Sequence, residues 1–105
     1  MEDNRIKLKE QTVRMLKTVY DPEIPVSIYD LGLVYNVDID NDGNVLIRMT
    51  LTAPACPAAD FIMEDVRMKI ESIPGVKSVD IQIVFEPEWH PGLMSEEAKL
   101  ELGFL

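Results

Sequence analysis

The chain is nearly without the residues that build metal centres and disulfide frameworks, with one cysteine and one histidine among its 105 residues. One thiol cannot close an intrachain disulfide, so stability must come from an ordinary core, and a reducing compartment is expected. Metal-ligand spacings are absent too: there is no CxxC, no HxxxH and no cysteine cluster. A stable cluster held by four cysteines of one chain is therefore excluded. No apolar run approaches the roughly 20 residues that span a membrane, so no membrane association is expected. Met1-Glu2-Asp3-Asn4 lacks a basic region leading into an apolar stretch; no secretory leader is expected, and the protein is expected to be cytoplasmic. Cationic residues are also scarce, with 10 Lys and Arg against 19 Asp and Glu and a formal net charge of −9. That balance argues against a nucleic-acid partner, whose backbone requires clustered cations.

What is present is enough for one modest core, since 47% of the residues are hydrophobic. The length fits a single domain over residues 1–105. Residues 5–20 carry a helical period, with Ile6, Val13, Leu16 and Tyr20 on one face and Asp3 or Asn4 as cap. The Asp21-Pro22 step ends that helix, because proline disfavours helix in the residue before it. Residues 21–31 form a loop with two prolines, long enough in a small domain to suggest a functional role. Two alternating strands follow. Leu33, Tyr35, Val37 and Ile39 share the inner face of residues 33–39, and Val45, Ile47, Met49 and Leu51 that of residues 45–52. Asn41-Asp42-Gly43-Asn44 between them is a hairpin turn signal. A second helix spans about 58–72, with Ile62, Val66, Ile70 and Ile73 as its buried stripe. Pro74-Gly75 stops it. A third strand carries Val79, Ile81, Ile83 and Phe85 inward. After an irregular stretch at 86–94, Ser95 caps a short final helix. The order α-β-β-α-β-α predicts an α+β fold: a three-stranded mixed sheet with helices packed on it and a right-handed β-α-β crossover.

Cys56 falls at the strand-to-helix junction, in Thr50-Leu51-Thr52-Ala53-Pro54-Ala55-Cys56-Pro57. Pro57 suits the first helical position, which makes Cys56 the N-cap, where Ser, Thr, Asp or Asn is usual. The helix dipole there favours a thiolate, with a pKa expected below the free value of about 8.5. Asp60, Glu64 and Asp65 oppose it from the first turns of the same helix. The competing reading is a small buried apolar residue. Ligand sites of β-α-β units favour the carboxyl ends of strands. Cys56 lies past the end of the second strand, the 87–91 stretch past the end of the third, and the 21–30 loop enters the first beside them. The polar groups that this edge gathers are Asp21, Glu23, Asp30, Thr50, Thr52, Cys56, Glu86, Glu88 and His90. Pro54 and Trp89 line it. Taken alone, Asp21 and Asp30 fit turn and cap roles, His90 a surface residue and Trp89 a core edge.

Three ordered motifs resemble a known family. They are Asp21-Pro22-Glu23-Ile24-Pro25-Val26-Ser27-Ile28-Tyr29-Asp30-Leu31-Gly32-Leu33-Val34-Tyr35, Thr50-x-Thr52-x-Pro54-x-Cys56-Pro57, and Pro87-x-Trp89-x-Pro91 followed by Met94-Ser95. They resemble the small metal–sulfur cluster biosynthesis group, which includes SufT-like, PaaD-like and MIP-eighteen-like domains. The chain is similar to the stand-alone SufT-like type, because it lacks the cysteine-rich tail of PaaD-like members and the length of members fused to a carrier domain. The resemblance implies assembly or delivery of iron–sulfur clusters, with Cys56 as reactive cysteine and the Asp21–Gly32 loop bordering it. The partners implied are iron–sulfur assembly proteins and client apo-proteins.

Three readings follow. In the first, Cys56 is a thiolate ligand or transfer point for iron or a transient cluster, neither being required for folding. Two chains, as a homodimer, could then share the cargo, each giving Cys56, with carboxylates, His90 or a small thiol completing the ligands. In the second, the protein is an adaptor that docks clients and cluster carriers, and Cys56 is structural. A thiol enzyme is the weakest reading, since no histidine is evidently placed as a base and there is no resolving cysteine.

Overall fold

A computed structural model describes residues 2–20, 24–51 and 59–103, with side chains from residue 5 onward. The elements are α1 (Glu2–Leu16), β1 (Val34–Ile39), β2 (Asn44–Met49), α2 (Ala59–Glu71), β3 (Ser78–Ile83), a 3-10 turn (Pro91–Leu93) and α3 (Glu96–Glu101). β2 is the central strand of the sheet. It pairs antiparallel with β1 and parallel with β3, as a hairpin followed by a β-α-β unit requires. α1 lies against β1, α2 against β3, and the two helices touch. The opposite face of the sheet is open and polar, with Asn36, Asp38, Arg48, Asp80 and Gln82 exposed.

The core follows the periodicities. Ile62, Val66 and Ile70, one helical turn apart, are fully enclosed and share a cluster with Val37, Ile47, Met49 and Ile81. The hairpin turn is built by Asp40, whose carboxylate accepts the backbone N–H groups of Asp42 and Asn44 and the side-chain amide of Asn44, each at 2.9 Å. These bonds, the Asn44 amide first, stabilise the charged form and hold the Asp40 carboxyl below the usual aspartate range. Gly43 supplies the positive φ that the turn demands.

Four expectations are corrected. Of the expected face of α1, Leu16 is enclosed and Val13 half-buried, but Ile6 is 59% and Tyr20 53% exposed, while Thr12 and, past the end of the helix, Val19 are enclosed. Thr12 can be buried because its hydroxyl donates to the carbonyl of Leu8 at 2.7 Å. The helix begins at Glu2, so Asp3 and Asn4 lie inside it rather than capping it. It ends at Leu16, four residues before Tyr20, where Tyr20 forms an isolated bridge with Ser27. The third correction is Tyr35. The register shifts between Val34 and Asn36, which makes Tyr35 the extra residue of a β-bulge. Val34, not Tyr35, therefore sits opposite Met49. Last, β2 stops at Met49 and β3 at Ile83, which leaves Phe85 46% exposed.

Candidate functional site

The 24–33 loop is anchored like core. Val26, Ile28, Leu31 and Leu33 are buried. The Ser27 hydroxyl accepts the backbone N–H of Asp30 and donates to its carboxylate, at 3.2 and 3.1 Å. Leu31 N–H returns to the Ser27 carbonyl and Gly32 N–H to the Tyr29 carbonyl, which winds the segment into a tight turn. Gly32 closes that turn at φ +80°, with the Leu93 carbonyl so near that a Cβ there would collide with it.

The parallel pairing of β2 and β3 puts both carboxyl ends at this edge, and the antiparallel β1 begins there. Short hydrogen bonds stitch the pieces together. Thr50 N–H donates to Leu33 O at 2.8 Å, and Val84 N–H to Met49 O at 2.9 Å. The Trp89 indole N–H donates to Leu31 O at 2.7 Å, the Tyr35 hydroxyl to Pro87 O at 2.7 Å, and Ser95 N–H to Asp30 O at 2.8 Å. The described parts of the loop, of the residues after β2 and of the segment after β3 thus meet as one braced edge.

Among the sequence candidates, Asp30, Thr50 and Trp89 lie in this bonded edge. Asp30 acts as a turn residue, and half-buried Trp89 holds the 84–95 segment against the loop. His90 is exposed, and its Nδ1 accepts the backbone N–H of Gly92 at 3.1 Å, so it caps the Pro91–Leu93 turn. Glu86 and Glu88 point no described hydrogen bond into the edge and are exposed. Asp21, Glu23, Thr52, Pro54 and Cys56 lie outside the described residues, as does the capping arrangement of Cys56 and Pro57; α2 is described from Ala59. Among the described residues no three His, Cys, Asp or Glu side chains stand close enough to share a metal ion. Sequence reasoning missed Tyr35 and Gly32 as braces of the edge. The glycine in Asp30-Leu31-Gly32 was the one available signal.

Thr50 is the unusual residue of the edge. It is 1% exposed, and its hydroxyl has no hydrogen-bond partner among the described residues. An unsatisfied buried hydroxyl costs about 1–3 kcal/mol. Thr50→Val keeps the shape and removes that group, so its melting temperature should match or exceed wild type. A loss of more than about 1 kcal/mol would show instead that the hydroxyl is satisfied in the folded protein.

Fold and edge together define a class: a small α+β domain with a hairpin, a crossover helix and a parallel third strand, whose loops are braced at the carboxyl end of the sheet. The chain belongs to the family of iron–sulfur cluster assembly proteins, whose model matches residues 9–83. It is 66% identical over 105 residues to the "Fe-S protein maturation auxiliary factor" of Porphyromonas gingivalis, covering 100% of both chains. It is 45% identical over 96 residues to the factor YitW of Bacillus subtilis, covering 91% of this chain and 94% of that one. A crystal structure of a domain of unknown function from Bacillus anthracis superposes with a TM-score of 0.92 at 34% identity, over 100% of both chains. The family match ends at Ile83, so the braces from Tyr35 to Pro87 and from Trp89 to Leu31 each have one end beyond it.

Proposed function

We propose that this protein is an iron–sulfur maturation factor that helps deliver clusters to client apo-proteins, with Cys56 as the thiolate that ligates or passes on the cargo. One observation carries the reading: the connection that contains Cys56 joins Leu51 to Ala59, and the residues before it are fastened to the 24–33 loop through Thr50 and Leu33. The braced edge fixes the start of the connection that carries this ligand, at Thr50. A thiolate is the soft donor that iron–sulfur chemistry requires, and Cys56 is the chain's one source of it. A single protein–metal bond favours transfer over storage, because one exchange with a client's cysteine releases the cargo. The remaining ligands come from a second chain, a small thiol or the client. His90 is already committed to its turn, which makes it a poor ligand. The protein acts by ligation and docking rather than by turnover, in the reducing cytoplasm. Among the described residues no helix is long and apolar enough to cross a membrane.

The test is anaerobic reconstitution with ferrous iron and sulfide, read by absorption spectra. Wild type should develop charge-transfer bands that Cys56→Ser lacks. Identical spectra would remove the ligand role and leave the adaptor reading.

A further inference from the structure

α2 has two apolar stripes. Ile62, Val66 and Ile70 face the core; Phe61 and Met68 face solvent, 78% and 64% exposed. They stand seven residues apart, about 10 Å along the helix. With half-exposed Tyr20, just after α1, they line a groove of about 610 Å³ whose rim carries Asp60, Glu64 and Asp65. The cation beside it is already engaged: Lys69 pairs with Asp65 at 3.2 Å and donates to Thr18 O at 3.0 Å. Asp60 and Glu64 have no ion pair among the described residues.

We propose that this groove docks a basic amphipathic segment of a partner protein, two apolar anchors about two helical turns apart flanked by Lys or Arg. Charge complementarity selects that occupant. Anionic lipid and nucleic acid would meet three carboxylates. A second copy docking through the same patch would set those acids against themselves, in a chain whose net charge is already −9. The groove starts on the first turn of α2, directly after the connection that holds Cys56. Taking the partner as a client or cluster carrier rests on the function proposed above; the groove itself does not.

The probe is a fluorescent 18-residue Leu/Lys amphipathic helical peptide, read by anisotropy at physiological salt, beside sedimentation of the protein alone. Phe61→Ala/Met68→Ala and Glu64→Lys should each weaken binding by at least about tenfold, as expected for loss of central anchors or charge reversal. Asp80→Lys, the same charge change on the open sheet face, should stay within about twofold. Cys56→Ser should bind like wild type, so loss of cluster chemistry and loss of docking are read separately. Melting curves confirm that the variants are folded; Phe61, Glu64, Met68 and Asp80 are all at exposed positions. Equal binding by groove variants and wild type would overturn the proposal, as would no binding by wild type. So would self-association that the groove substitutions abolish, which would identify a second copy as the occupant.

Discussion

Cells in which Cys56→Ser replaces the native protein are expected to mature client iron–sulfur enzymes no better than cells lacking it, while the purified variant melts as wild type does. The swap changes one heavy atom. Serine is at least as good as cysteine ahead of a helix, so the fold has no reason to suffer. A hydroxyl is a poor ligand for iron in sulfur-rich surroundings, so the chemistry does. Client activity and cluster content, measured under high demand for clusters, separate the two effects. Normal client activity with the variant folded would make Cys56 dispensable and turn attention to the docking of clients and carriers.

Val66→Asp is expected to cost about 3 kcal/mol or more, because it places an unpaired carboxylate in the core. Val66 has no exposed surface and sits between Ile62 and Ile70 on the stripe that joins α2 to the sheet. In a domain near 100 residues each kcal/mol moves the melting temperature by about 4–8 °C. The variant should therefore melt at least about 12 °C lower. A shift of only a degree or two would mean that α2 does not pack as described. Phe61→Asp, five residues earlier on the same helix and 78% exposed, is the matched control and should melt close to wild type.

The elements that sequence reading placed well are those whose pattern is local. β2 alternates without a fault from Val45 to Met49, and α2 repeats its apolar residues at 62, 66 and 70. α1 was misread because its seam runs through Thr12. Its residue type argues for solvent; only the bond to Leu8 O shows how it pays its way into the core. The bulge at Tyr35 is not written in β1. It accompanies a hydroxyl bond to Pro87, 52 residues away in sequence, and no alternation rule reaches that far. The edge itself was legible from topology, since parallel β2 and β3 must end together. The tasks of its members were legible only in part. Asp30 and His90 are polar groups in the right place, yet the hydrogen bonds their side chains make are spent on shaping turns. Phe61 and Met68 drew no notice, because whether an apolar helix residue faces inward depends on the neighbours that cover it.

Trp89 is the chain's single tryptophan, and its indole is fastened to Leu31 beside the braced edge. The protein therefore carries its own fluorophore at the place of interest. Excitation at the red edge of the indole band isolates it from the three tyrosines without any label. Iron–sulfur chromophores absorb where indole emits, so arrival and departure of cargo would register as quenching and recovery of one intrinsic signal, in real time.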